Sequence, residues 1–151
     1  MKRLMLAAVA VAALAIAVPA LAQFAKVEDA IRYRQSVMFM QGTHLGRLAR
    51  MATGRLPYDA KVAAENADIL LVITKLPFPA FVDGSDKGDT RAKPEIWKEK
   101  DKFMAGANKM QEEVVKLNAA AKSGSVDQLK SAVGAVDKAC KACHDDYQKP
   151  L

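Results

Sequence analysis

The sequence predicts an all-α fold, an antiparallel up-down-up-down four-helix bundle, and three observations lead to it. Apolar residues recur at helical spacing in four segments, and clusters of Gly, Pro and Ser separate these segments. No stretch alternates between apolar and polar residues as a half-buried strand would. Aromatic residues make up only 6% of the 151 residues, while Ala, Leu, Val, Lys and Met are abundant, a mixture that favours helices.

The N-terminal 22 residues have the pattern of a secretory signal peptide. A basic start at residues 1–3 precedes an apolar run over residues 4–18, and small residues surround the expected cleavage site after Ala22. The run of about 15 residues is shorter than the roughly 18 to 20 that a membrane span needs, so we expect cleavage rather than a retained anchor. The predicted mature protein, residues 23–151, is a single periplasmic domain, and this size excludes a multidomain enzyme.

The first predicted helix spans residues 27–52, with Glu28 and Asp29 in its first turn, where acidic residues suit the helix dipole. Its apolar face is Ile31, Met38, Leu45, Ala49 and Ala52. The second predicted helix spans residues 59–76. Its apolar face is Val62, Ile69, Ile73 and Leu76.

The third predicted helix begins with Pro94 and extends to about Lys122. Its apolar stripe is Phe103, Ala107, Met110, Val114, Leu117 and Ala121, the spacing of a bundle seam. The fourth helix opens with a capping box in which Ser125 and Gln128 hydrogen-bond reciprocally. Its stripe is Val126, Leu129, Val133, Val136, Cys140, Cys143 and Tyr147. A long connection over residues 77–93 joins the two helical hairpins.

The two cysteines of the mature chain lie in Cys140-Lys141-Ala142-Cys143-His144, the pattern of c-type haem attachment. Residues three apart share one face of a helix, so both thiols can bond one edge of a porphyrin while His144 reaches the iron. Three alternatives use the same residues. They are a thioredoxin-like redox pair, half of a zinc site with His44 as the only other histidine, and a disulfide, which has poor geometry within a helix.

The chain resembles the cytochrome c prime family over nearly all of the mature sequence. The resemblance rests on residues 32–36, 56–59, 93–97 and 140–147. It implies one covalent haem c per chain, with Arg34 and Gln35 directed at a propionate and Met38 over the distal face. It also implies a homodimer through the first two helices and redox partner proteins. The family usually has a basic residue where this chain has Gln148, which alters the expected charge near the proximal histidine.

Two further residues are placed by helical geometry. Arg34 lies on the inward stripe, where an unpaired charge is costly, so it either meets a haem propionate or extends to water. His44 is six residues from Met38, about 240° around the helix, and should point away from the site as a partly exposed structural residue. Trp97, Phe103 and Tyr147 either contact haem or fill the core, with Tyr147 the best candidate for contact.

Met38 has three possible roles, and two of them imply a function. If the thioether fills the pocket without bonding iron, the resemblance implies five-coordinate iron, and the apolar surroundings favour neutral NO and CO over anions or O₂. If the sulfur bonds iron, the protein is a low-spin electron carrier. Met38 could also be ordinary core packing. We expect a haem protein that handles NO or electrons rather than an enzyme; weak peroxidase or NO reductase activity is a second alternative. The scattered basic residues exclude a nucleic-acid patch.

Overall fold

The structure, a computed structural model, describes residues 23–150, so the predicted signal peptide lies outside the described residues. Four long helices form the bundle: α1 (Val27–Ala52), α2 (Ala60–Ile73), α4 (Lys100–Lys122) and α5 (Val126–Tyr147). A one-turn helix, α3 (Glu95–Lys98), precedes α4. Around the bundle, α1 packs on α2, α2 on α4, α4 on α5 and α5 on α1, which confirms the predicted four-helix architecture.

The ends of the helices follow the predicted signals closely. α1 has the predicted bounds, and Gly54 and Gly124 take positive φ angles of 73° and 76° directly after α1 and α4. At α5 only half of the capping box forms. The Ser125 hydroxyl accepts the Gln128 backbone N–H at 3.3 Å, but the Ser125 N–H donates to the Ser123 hydroxyl, so the predicted return bond from the Gln128 side chain is wrong. The nearby hydroxyl replaces the Gln128 side chain as the acceptor.

The main core lies where α1 ends, α4 ends and α5 begins. Leu48, Leu117 and Leu129 are fully buried there, with Leu70 of α2 between them. The predicted stripe of α4 is buried at all six positions. The stripe of α5 is confirmed except at its first residue, because Val126 lies at the end of the helix and remains partly exposed.

The predicted inner face of α2 is wrong at three of its four positions, and only Ile73 packs against the core. Val62, Ile69 and Leu76 are exposed, and the buried apolar residues are Ala63, Ala67 and Leu70. α2 packs against both α1 and α4 with its small alanines and Leu70, which let the helices approach closely, while Val62, Ile69 and Val72 face outward. The helix is also shorter than predicted, since it begins after an N-cap at Asp59 and ends at Ile73.

The predicted third helix is interrupted at Glu99, whose backbone (φ −118°, ψ 42°) leaves the helical region. Pro94 is the N-cap of α3 rather than its first helical residue. The indole N–H of Trp97 donates to the Val82 carbonyl at 3.1 Å, so α3 is bonded to the long connection. That connection contains a 3₁₀ turn, Phe78–Ala80. None of the helices within residues 23–150 is long and apolar enough to cross a membrane.

Candidate functional site

A cavity of about 960 Å³ opens between α1, α4 and α5 and the long connection. Its volume lies in the range of sites that hold a cofactor or a drug-sized ligand. The structure brings together in its wall all seven residues that the sequence singled out: Arg34, Gln35, Met38, Cys140, Cys143, His144 and Tyr147. Their roles toward a haem stay predictions, but their common location agrees with one shared site.

Four glycines inside helices also line this cavity. Gly42 and Gly46 lie on α1, Gly106 on α4 and Gly134 on α5, and a Cβ built on any of them meets no atom within 4 Å. A glycine within a helix is about 1 kcal/mol less favourable than alanine. Close packing does not explain these glycines, because the space before each is open. They leave room for a bulky group against the helix backbones, so the lining fits a flat group such as a porphyrin.

The cysteines and His144 lie in the last two turns of α5. Both thiols are free and half-buried, and Cys140 contacts the main core while Cys143 contacts an aromatic cluster. Burial, with smaller contributions from Asp137 and Cys143, raises the pKa of Cys140 to about 11, and burial followed by Asp146 raises that of Cys143. Within residues 23–150, no group of three His, Cys, Asp or Glu side chains is placed to hold a metal ion, which gives the zinc alternative no support.

His144 is exposed, and it also lines the cavity. Its pKa is lowered, first by partial desolvation and then by the positive charge of Arg91, against the opposing effect of Asp145. The neutral imidazole is therefore favoured, and this is the form that bonds a metal.

Arg34 is buried and does not extend to water, so the solvent-exposed alternative is wrong. Its Nη1 donates to the Ala80 carbonyl and the Ser85 hydroxyl, and its Nη2 to the Ser85 carbonyl and the Thr90 hydroxyl. The guanidinium also lies 4.5 Å from the centre of the Phe81 ring. Burial lowers the pKa of Arg34 to about 10, although Asp86 acts in the opposite direction. Arg34 thus anchors the long connection and leaves a positive charge in the cavity wall, where an anionic group would compensate it.

The α1 surface around Met38 presents few free hydrogen-bond donors to the cavity. Met38 and Leu45 are half-buried and face the open space. Gln41 lines the cavity, but its amide donates to the Ile73 carbonyl at 3.0 Å, and Gln35 donates to the Asp89 carbonyl at 2.9 Å. His44 does not line the cavity; its Nδ1 pairs with Asn66 of α2 at 2.8 Å, which confirms its predicted structural place.

An aromatic cluster closes the cavity at the end of α5. Tyr147 packs edge-on against Phe103, with ring centres 5.3 Å apart, and Phe103 packs against Phe78 and Phe81. Phe103 and Tyr147 are buried in this cluster and also line the cavity, so their contact with a haem stays a prediction. Trp97 belongs to the cluster but does not line this cavity.

Sequence reasoning missed Arg91. Its Nε and Nη2 both donate to the Lys149 carbonyl, at 2.8 and 2.6 Å, and its own carbonyl accepts the Lys149 N–H. These bonds hold a positive charge in the wall near His144, beside Gln148. Arg91 lies 49 residues before the first cysteine of the motif, and no local pattern indicates that the long connection returns to α5. The isolated antiparallel bridge between Ala92 and Gln148 is what joins them.

Comparison with known proteins shows the family to which the chain is similar. The family model described as Cytochrome C' matches residues 29–148. Cytochrome c' from Rubrivivax gelatinosus is 48% identical over 128 residues, which cover 84% of this chain and 99% of that relative. Its crystal structure superposes with a TM-score of 0.80, covering 84% of this chain and 100% of the other. A nitric oxide complex of a variant of cytochrome c prime from Alcaligenes xylosoxidans is 41% identical, with a TM-score of 0.80, and covers 85% of this chain and 100% of that chain.

Proposed function

Because the chain belongs to the cytochrome c prime family, whose members bind haem c, we propose that it is an exported periplasmic haem protein that binds NO and CO. The observation that carries the proposal is the single cavity that is lined both by Met38 of α1 and by the Cys140–His144 motif of α5. The residues 1–22 would direct export and be removed. The same site suits NO buffering and electron transfer, and redox proteins would be its partners.

The last turns of α5 would hold the haem. Cys140 and Cys143 would form one thioether bond each, so that one haem c is attached per chain, and His144 would be the axial ligand. Arg34 offers a buried positive charge for a propionate, and Gln35 and Tyr147 also line the cavity and would contact the haem. When bound, the haem supplies an iron that takes up and releases one electron and offers a position for a gas.

Selectivity for NO and CO follows from the α1 wall. Met38 is apolar, and the neighbouring Gln41 amide already donates to a backbone carbonyl. A hydrated anion would lose its solvation here and gain few hydrogen bonds, whereas NO and CO are weakly hydrated. A structural relative is itself a nitric oxide complex, which supports NO as the ligand of this chain.

The alternative function is a low-spin electron carrier in which the Met38 sulfur is the sixth ligand. Met38 is half-buried on the cavity wall, so its sulfur could either bond the iron or leave the sixth position open, and experiment can distinguish the two. We expect the oxidised protein to give high-spin optical and electron paramagnetic resonance spectra that Met38→Ala leaves high-spin. Met40→Ala is the matched control, because Met40 lies on α1 but outside the cavity. A low-spin spectrum that becomes high-spin only in Met38→Ala would instead establish the carrier.

We do not propose a catalytic role for the site. His44 is bonded to α2, so within residues 23–150 no histidine other than His144 lines the cavity to act as an acid or base. Weak peroxidase or NO reductase activity remains the second alternative. Turnover of peroxide or NO above that of free haem would favour it.

We further propose a homodimer that forms through α1 and α2. The outward apolar residues of these helices include Phe39, which is 76% exposed, and Val72, which is 62% exposed. Met40 of α1, Val62 and Ile69 of α2, and Leu76 just after α2 are also exposed. Sedimentation analysis should show a dimer that Phe39→Ser with Val72→Ser dissociates. Val115→Ser, at a similarly exposed position on α4, should leave it intact.

A further inference from the structure

A second cavity, of about 460 Å³, lies on the other side of the aromatic cluster from the haem site. Its walls are the rings of Phe78, Phe81, Trp97 and Phe103, with Met104 of α4 beside them. Phe78, Phe81 and Phe103 also line the first cavity, so these rings form the partition between the two. The second cavity is thus separate from the proposed haem site by one layer of aromatic side chains.

The aromatic walls of this second cavity favour a flat, apolar ligand. Phe81 lies 6.1 Å from Trp97 and 4.9 Å from Phe103 between ring centres, and the rings are tilted or edge-on to each other. Phe78, Phe81 and Trp97 are only half-buried, so each keeps ring surface that a ligand can cover. Aromatic ligands gain stabilisation beyond area burial from such offset or edge contacts. The volume suits a small molecule, whereas a protein partner needs a far larger contact surface.

The rim of the second cavity carries positive charge. Lys75, after α2, and Lys100, at the start of α4, both line it, and within residues 23–150 neither makes an ion pair. Among the residues that the structure describes, no acidic side chain lines it. The other polar groups are the amides of Asn108 and Gln111, and the latter donates to the Thr74 carbonyl. By contrast, the neighbouring Lys98 and Lys102 are paired with Glu95 and Glu99.

We propose that this second cavity binds a small planar aromatic anion, with the ring against Trp97 and Phe81 and the anionic group between Lys75 and Lys100. The site does not depend on what occupies the iron. A ligand bound here would lie one aromatic layer from the haem cavity, in contact with the same Phe103 ring that lines it.

The test uses the haem-containing protein and 2-naphthalenesulfonate as the probe. Calorimetry should give a dissociation constant of about 1 mM or tighter, the value expected for a ligand of this size. Trp97 is the only tryptophan of the chain, so its indole N–H signal in the ferrous CO-bound protein reports directly on the site. That signal should shift with the same affinity, while the haem absorption spectrum stays unchanged.

Charge and position are tested by variants and by a neutral analogue. Lys75→Gln and Lys100→Gln should each weaken binding by up to about five-fold, the usual value of an exposed charge pair, and 2-naphthalenemethanol should bind correspondingly less tightly. Lys98→Gln is the matched control, since Lys98 is outside the cavity and paired with Glu95. Asn108→Phe should block binding by filling the cavity at its exposed rim, and circular dichroism would verify its fold.

The proposal would be overturned by the absence of both heat and Trp97 shift at 5 mM probe, a concentration about five times the expected constant. It would also be overturned by equal affinity for the neutral analogue, or by binding that alters the haem spectrum and ignores Lys75→Gln and Lys100→Gln. If Asn108→Phe does not fold, the two lysine variants decide the question alone.

Discussion

The two halves of the bundle have the same spacing of apolar residues, but the interior of one half is filled with side chains and that of the other contains a cavity. In the closed half, where α4 meets the start of α5, Leu48, Leu117 and Leu129 fill the space completely. In the open half, Met38 and Cys140 occupy equivalent inward positions, yet they are half-buried beside about 960 Å³ of cavity. The difference lies in residue size rather than in pattern, because the open half has glycines and a haem motif where the closed half has leucines. An apolar stripe therefore predicts which side chains point into the bundle. The volume of those side chains decides whether the interior is filled by core packing or leaves space for a ligand.

The largest effect is expected from a variant that cannot attach the haem, the group that would fill the open half. Cys140→Ser with Cys143→Ser should yield a protein without covalently bound pigment, and its helical packing should weaken greatly because the cavity stays unfilled. Acidified organic solvent and circular dichroism melting measure the two effects. Ala142→Ser, an exposed position between the cysteines, is the control and should keep pigment and stability. A colourless double variant that melts at the temperature of the parent protein would contradict the proposed role of haem in the fold.

The second prediction compares a leucine from each half. Leu117→Ala in the closed half should cost about 2–5 kcal/mol of unfolding free energy, the usual cost of a buried Leu→Ala change, with the haem spectrum unchanged. Leu45→Ala, on the half-buried cavity wall, should cost less and should instead alter CO binding rates. Guanidinium unfolding and flash photolysis of the CO complex separate the two. Equal stability losses would show that the open half is packed as tightly as the closed half.

Much of the fold could be predicted because strong local signals fix it. α1 has the predicted bounds, and the whole stripe of α4 is buried as expected. α2 could not be oriented from its sequence, since Val62, Ile69 and Val72 form one apolar face and Ala63, Ala67 and Leu70 form another. Which face turns inward depends on how closely α1 and α4 approach, and that is not a local property.

The haem-attachment motif of the site could be predicted from the sequence, whereas the contacts of the long connection with the site could not. Cys140, Cys143 and His144 are adjacent in sequence, so helical spacing alone places them on one wall. The bonds of Arg34 to Ser85 and Thr90 and the position of Arg91 depend on the path of a long connection that carries no periodic pattern. Long-range contacts of such a loop are fixed by hydrogen bonds that sequence spacing does not reveal.

The third prediction concerns the anchor of that connection. Arg34→Met should destabilise the protein by about 2–3 kcal/mol, since a lost hydrogen bond to a charged group costs this much and buried acceptors at Ala80 and Ser85 lose their donor. Native-state hydrogen exchange should show faster exchange within residues 77–93 than in the parent. Arg32→Met, an exposed change two residues away, is the control. Unchanged exchange in the connection would contradict the anchoring role of Arg34.

A smaller effect is expected from Arg91. The positive charge of Arg91 lies near His144, so Arg91→Gln should stabilise the oxidised iron relative to the reduced iron. The reduction potential should therefore fall. The size should be about 20–40 mV, because a partly exposed charge interaction is worth less than about 1 kcal/mol. Spectroelectrochemical titration measures it, with Lys87→Gln in the same connection as an exposed control. A rise in potential, or an equal shift in the control, would contradict a specific effect of Arg91.

The smallest expected effect lies on the surface of the closed half, at Asp68. Hydrogen bonds from Lys122 and Asn118, at 2.6 and 2.7 Å, hold the pKa of this carboxyl below its ordinary value of 3.8. A depressed folded pKa contributes stability above about pH 4, and this contribution is lost as the pH falls through the lower folded value. Asp68→Asn should therefore melt slightly below the parent at pH 7, and the difference should disappear as the pH falls below the lowered pKa of Asp68. Glu112→Gln, exposed on α4, is the control for removal of a surface charge. Because Asp68 is exposed, a large loss at pH 7 would mean that the closed half depends on its surface pairs and not on its leucine packing.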